Sequence, residues 1–243
     1  MPILANFNQY FYFIGASIML PVWIILFSNK SYRRRMIIVG IIIGIGATII
    51  EHTYALADYW RPIYLFPHFP FEDFYYGFVF GGISTAFSAF LFNKRDSKKR
   101  TYPAYQKLII LFTLLTTLCF LYFVHFLQLN SIVAHITPPI LLGLTVLIIR
   151  KDLFFYACSN GILTAGLTLI MFLILKSLYP QIFQNHWYLE NLSQHFILTI
   201  PIEEILFGFA MGFGLGCAYE LINGYSEITN IKLKKKRMRR FKK

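Results

Sequence analysis

The sequence predicts an all-α integral membrane protein. Seven transmembrane helices form two parallel three-helix repeats joined by a connecting helix (3+1+3), with the N-terminus outside and the C-terminus cytoplasmic. Three observations predict this. The 243 residues are 57% hydrophobic and only 14% charged, and the apolar residues collect in runs approaching the length of bilayer spans. Every second connection between runs is basic, the asymmetry that orients a multi-pass protein in a cell membrane. A twelve-residue pattern, Pro-x-Glu-acidic-x-x-aromatic-Gly-Phe-x-x-Gly, occurs twice, at 70–81 and 201–212, and each copy opens an apolar run.

The runs fall at about 10–28, 36–57, 72–92, 107–127, 131–149, 153–175 and 195–222. The first begins without a basic leader and is followed by Lys30, Arg33, Arg34 and Arg35, so it reads as a retained span and not a cleaved signal. The second carries Glu51 and His52 late, where a carboxylate reaches the outer interface. The third opens on the first motif and is followed by Lys94, Arg95, Lys98, Lys99 and Arg100. The fourth is the connector, Arg150 and Lys151 follow the fifth, and the seventh opens on the second motif and leads into a basic tail from Lys232 to Lys243. Only Arg61 and Lys176 depart from this alternation.

The chain divides accordingly into a first repeat (1–100), a connecting helix (101–130), a second repeat (131–225) and a basic cytoplasmic tail (226–243). An odd connector makes the two triplets point the same way. The loops ahead of the motifs match weakly, as Asp58-Tyr59-Trp60 and His186-Trp187-Tyr188. The net charge of +12 is a topology signal, and the tail can also sit on anionic lipid; nucleic acid is not an expected partner. Cys119, Cys158 and Cys217 lie in apolar runs as small hydrophobes, so no disulfide framework is expected.

Charge within lipid is costly, which makes Glu72, Asp73, Glu203 and Glu204 functional candidates by default. The structural alternative is that each Pro-x-Glu-acidic is a helix start whose acids complement the helix dipole. For the second copy, the apolar residues Phe196, Ile197, Leu198 and Ile200 ahead of Pro201 set Glu203 ~10 Å below the start of its span. Gly208, Gly212 and Gly216 form a seam opposite Glu203, and Gly77 and Gly81 a shorter one, so the third and seventh spans are expected to pack together.

Pro70-Phe71-Glu72-Asp73 and Pro201-Ile202-Glu203-Glu204 resemble the hallmark of the lycopene cyclase domain family, a Pro-x-Glu-[Glu/Asp] motif within a span, once per repeat. The family comprises the small membrane subunits of heterodimeric bacterial carotenoid cyclases and the duplicated cyclase half of fungal bifunctional enzymes. The resemblance covers the organisation of the chain, but its specific part is the two motif segments.

It implies an isomerase of carotenoid biosynthesis that cyclises a linear carotenoid, or related polyisoprenoid end group, without redox change and with no cofactor. An acid protonates an alkene, the carbocation closes a ring, and a base removes a proton. Adjacent acids in an apolar setting can keep one proton available, titrating as a unit. On this reading Glu203 is the donor and Glu204 its electrostatic partner, with Glu72 and Asp73 the matching pair. Phe71, Phe74, Tyr75, Phe207 and Phe209 can shield the cation, although among 26 Phe and 16 Tyr each also has a packing role. His125 or His135 can supply the base. The six histidines fall on the outer side, but His-x-x-x-His and Glu-x-x-His spacings are missing, so no metal is expected.

Other classes remain in view. A CAAX-type membrane protease also uses a Glu-Glu pair, but Ile205-Leu206-Phe207-Gly208 lacks its following Arg. A retinal photoreceptor needs a lysine in the last span, and none occurs between His195 and Ile222. A non-catalytic carrier of polyisoprenoid lipid, or a transporter, also fits parallel repeats with intramembrane acids.

Overall fold

A computed structural model of the protein describes residues 2–64, 71–91, 94–100, 108–223 and 225–229. Its long helices are α1 (Pro2–Ser28), α2 (Arg33–Ile50), α3 (Phe71–Leu91), α4 (Leu108–His125), α5 (Ser131–Ile149), α6 (Phe154–Leu178) and α7 (Ile202–Asn223). Among the described residues six stretches are long and apolar enough to cross a membrane: Tyr10–Ser28, Lys30–Asp58, Phe71–Leu91, Ser131–Ile149, Lys151–Leu178 and Ile202–Ile222. Ile110–His125, the expected connector, is apolar but shorter.

Apolar side chains face outward and short polar ones inward. Ile37, Ile41, Ile45 and Ile49 make an exposed stripe on α2, and Leu111, Leu114, Leu115 and Leu118 another on α4. Ser84, Thr85, Ser88, Asn160, Thr164 and Thr168 are buried. In water such apolar stripes would aggregate; in lipid they are the solvated face, and the chain is an all-helical membrane protein.

Small residues determine which helices meet. α3 packs most extensively on α2 and next on α1, while α7 packs most extensively on α6 and next on α5. A Cβ on Gly44 would lie 2.9 Å from the Phe74 carbonyl oxygen, and one on Gly77 would lie 2.9 Å from Gly44 Cα. Gly212 abuts Asn160, whose carbonyl oxygen would be 2.6 Å from an added Cβ, while Gly208 faces Ala165 and Thr168. The glycine seams of α3 and α7 thus face α2 and α6, not each other as expected, because α2 and α6 offer the short side chains that admit a close backbone. α3 and α7 meet instead through Phe80 and Phe207, stacked at 5.5 Å with 11° between planes. Asn160 ties three helices together: its amide donates to the carbonyls of Ser84 and of Gly212 (2.8 Å) and accepts from the Ser88 N–H at 3.0 Å.

One end of the bundle is closed by a buried ion pair. Arg35 Nη1 lies 2.8 Å from Glu220 Oε1, and each residue is 1% exposed. Arg35 also donates to the Thr85 carbonyl (3.2 Å) and the Tyr156 hydroxyl (3.3 Å), with the Tyr219 ring 4.9 Å from its guanidinium. Glu220, near the end of α7, thus pairs with Arg35 on α2.

The start of the last span also differs from expectation. Residues 195–201 do not extend it: β2 (Phe196–Ile197) and β3 (Ile200–Pro201) form a hairpin whose turn, Leu198 and Thr199, has φ of 51° and 74°. Both residues are left-handed, as a primed two-residue turn requires. The helix begins at Ile202, so Glu203 and Glu204 occupy its first turn and not a position a third of the way down the span. Short strands β1 (Lys94–Arg100) and β4 (Tyr225–Thr229) pair antiparallel, an addition to the all-helical expectation. Pro70, His68 and residues 230–243 lie outside the described residues.

Candidate active site

At the end of the bundle away from Arg35 and Glu220, α2 runs into a π-helical turn, Glu51–Ala55, and then Leu56–Asp58. Such turns recur at functional sites because the extra residue re-aims a side chain. Beyond it, Asp58 ties down the start of α5: its Oδ2 accepts from the Ser131 N–H at 2.8 Å, and its carbonyl accepts from Asn130 at 2.9 Å and Asn191 at 2.8 Å.

The two aromatic loops that match weakly in sequence are paired in space. Trp60 and Trp187 form an antiparallel β-bridge, with Arg61 N–H donating to His186 O (2.8 Å) and Tyr188 N–H to Tyr59 O (3.0 Å). The Trp60 and Trp187 rings are 5.4 Å apart. His186 beneath them stacks on Phe11 at 4.1 Å, and burial lowers its pKa.

This clasp holds two carboxylates. Trp60 Nε1 donates to Glu51 Oε2 at 2.5 Å. Trp187 Nε1 donates to Glu204 Oε1 at 2.7 Å, and the Tyr59 hydroxyl donates to the same oxygen. Each carboxylate thus has one oxygen fixed by an indole; among the described residues neither Glu51 Oε1 nor Glu204 Oε2 has a hydrogen-bond partner.

Both carboxylates line a cavity of about 760 Å³. Its wall takes Phe11 and Tyr12 from α1, Ile43, Gly46 and Ile50 from α2, Tyr76 and Phe80 from α3, Phe112 and Phe120 from α4, His135 and Leu142 from α5, Met171 and Leu175 from α6, and Phe207, Met211 and Tyr219 from α7. Sixteen residues separate Arg35 from Glu51 along α2 and Glu204 from Glu220 along α7, so ~24 Å lies between the carboxylates and the ion pair. The space is a long apolar slot with acid at one end.

All four motif acids are buried, with Glu72 1%, Asp73 0%, Glu203 6% and Glu204 4% exposed, but only Glu204 is on the cavity wall. Glu203 faces the segment ahead of the hairpin, its Oε1 accepting from the Ser193 N–H at 2.7 Å. Asp73 lies 3.1 Å from His52 Nε2, accepts from the Tyr64 hydroxyl at 3.3 Å, and sits close to Tyr12. The two acid pairs therefore do not converge on one space.

Of the aromatic and histidine candidates, Phe207 and His135 are on the wall. His135 Nδ1 donates to the Ser131 carbonyl at 2.9 Å, and its ring lies 4.8 Å from Phe120. Phe71, Phe74, Tyr75, Phe209 and His125 are off the wall. Phe71 stacks on Tyr75 (5.7 Å), which meets Phe13 (5.3 Å); Phe74 and Phe209 fill the notches at Gly44 and Gly161; His125 Nε2 is 3.1 Å from the Tyr54 hydroxyl. Among the described residues no group of three or more His, Cys, Asp or Glu is placed to hold a metal ion.

Glu51, Tyr59, Trp60 and Trp187 are the site residues that motif reasoning missed. The signal for three of them was the repeated aromatic loop; for Glu51 it was an acid late in an apolar run.

Residues 130–222, from the cap of α5 to the end of α7, match the lycopene cyclase family model. No curated protein and no solved structure matches the chain.

Proposed function

We propose, from the match of residues 130–222 to the lycopene cyclase family model, that the protein is a multi-pass cell-membrane enzyme that cyclises the end group of a linear, lycopene-like carotenoid or related polyisoprenoid without redox change. One observation carries this reading. Glu204, buried at the motif position, has one oxygen held by Tyr59 and Trp187 and stands on the wall of an apolar slot nearly as long as a bilayer core is thick.

The extended polyene lies along the slot with its end group against the carboxylates. The Glu204 O–H bond breaks and its proton forms a C–H bond at the terminal alkene. The resulting tertiary cation is attacked by the next double bond along the chain, closing a six-membered ring that carries a new tertiary cation, and loss of a proton from a carbon beside that cation restores neutrality. Atoms and electrons balance, so the product is an isomer of the substrate. The faces of Trp60, Trp187, Tyr76 and Phe207 supply negative quadrupole to the passing cation. The donor role thereby moves from Glu203, whose carboxylate braces the segment ahead of the hairpin, to Glu204; Glu72 and Asp73 shape the wall from behind.

The arrangement also supports two parallel repeats, α1–α3 and α5–α7, with α4 as connector. In each, the third helix lies chiefly on the second and next on the first, and equivalent tryptophans meet between them. With the basic loops cytoplasmic, the carboxylate end faces outward. Substrate then reaches the slot from the lipid, and no nucleic-acid partner is invoked.

The test is expression in a host that accumulates linear carotenoid, followed by pigment analysis. A cyclic isomer is expected, gaining one deuteron per ring when membranes react in D2O. Abundant protein with no cyclic product would overturn the reading.

Slot volume gives a further expectation. A Cβ on Gly46 meets nothing within 4 Å, and Gly46 is on the wall. Gly46→Leu should leave thermal stability in detergent within ~0.5 kcal/mol while cutting ring formation severely. Gly44→Leu, against the Phe74 backbone, should cost ~1–3 kcal/mol.

A further inference from the structure

A cyclase that works by protonation needs a second proton-handling group, because the carbon that loses a proton is not the carbon that gained one. Neither histidine proposed from sequence serves well. His125 is off the wall, and His135 spends Nδ1 on the Ser131 carbonyl while its ring packs on Phe120.

Glu51 has what the role requires. It enters the same slot from the α2 side while Glu204 enters from the α7 side. The π-helical turn that begins at Glu51 sets its direction. Its attachment repeats that of Glu204: Oε2 is fixed by Trp60 as Glu204 Oε1 is fixed by Trp187, and the two indoles lie 5.4 Å apart across the loop bridge, their planes tilted by 45°. Among the described residues each carboxylate keeps one oxygen without a hydrogen-bond partner, so two proton-handling atoms are held on one clasp. Glu51 belongs to neither Pro-x-Glu-acidic motif.

We propose that Glu51 is the base of the cyclisation, taking the proton from the ring cation that Glu204 generates; this rests on the cyclase reading above. In balance, the Glu204 proton becomes a C–H bond, a neighbouring C–H bond becomes the new double bond, and its proton goes to the Glu51 carboxylate. Exchange with water at the carboxylate end, where exposed Thr53 lines the slot, discharges Glu51 and recharges Glu204. Because the base selects which proton leaves, Glu51 also determines the position of the ring double bond.

The test compares the parent with Glu51→Gln, Glu51→Asp and Glu204→Gln in membranes supplied with linear carotenoid. Substrate loss, ring-isomer composition and melting temperature are read together. Glu51→Gln retains an oxygen to accept from Trp60, so it should melt near the parent temperature. Its turnover should fall ~10²-fold or more, and the residual product should show a changed ring-isomer ratio. Glu51→Asp, which keeps a carboxylate, should retain the parent's dominant isomer at reduced rate. Parent rate and isomer ratio in Glu51→Gln, with Glu204→Gln inactive, would overturn the role of Glu51 and leave the cyclase reading standing. A parent that forms no ring would overturn both.

Discussion

Glu204→Gln is expected to abolish cyclisation: linear carotenoid accumulates unchanged, the protein reaches parent levels, and turnover drops by at least ~10²–10⁴-fold. Glutamine preserves the shape of the side chain and an oxygen for the Tyr59 and Trp187 donors, so the clasp has no reason to open. What it lacks is an acidic proton, and an alkene is too weak a base to be protonated by an amide. The neighbouring Glu203→Gln provides the contrast. Its carboxylate accepts from the Ser193 backbone and is off the slot, and glutamine can accept that bond too, so activity should change by less than ~10-fold. Equal loss of ring formation in both variants, with both proteins folded, would refute the division of labour between these adjacent acids.

The second large effect is on stability. Glu220→Ala removes the carboxylate 2.8 Å from the Arg35 guanidinium, in an interior where Arg35 is 1% exposed. Breaking a buried pair from one side costs ~3–5 kcal/mol, enough to remove most of the stability of an ordinary domain. The expected result is a melting temperature far below the parent's in detergent, or loss of the protein from membranes. Replacing both partners by apolar residues, Arg35→Met with Glu220→Leu, should recover much of that loss, since no charge is then left buried. If the single substitution melts at the parent temperature, the ion pair does not brace α2 against α7.

Much of the bundle was legible because lipid imposes simple rules: apolar runs long enough to span, with charged residues gathered mainly in the connections between them. Those rules located the helices to within a few residues, except the start of α1, which lies at Pro2 and not near Tyr10, and the start of α7. There, Phe196, Ile197, Leu198 and Ile200 are apolar enough to extend a span, but Pro201 and the left-handed Leu198 and Thr199 turn them into a hairpin. Hydropathy has no access to backbone handedness.

The motif acids were legible as buried groups, but which of them faces the slot was not. Neighbours on a helix point ~100° apart, and the choice between Glu203 and Glu204 depends on where the Ser193 loop and the Trp187 indole lie. Glu51 was hidden for the same reason, since its direction comes from a π turn and its partner is nine residues away in the next loop.

The tryptophan clasp has a consequence for how such a protein can be assembled. Glu51 and Trp60 belong to the first three long helices and Glu204 and Trp187 to the last three, so neither portion possesses a complete reaction chamber. If the cyclase reading holds, catalytic competence is a property of their union, and whatever holds the portions in register, whether a shared chain or a firm association of separate ones, serves chemistry equally well.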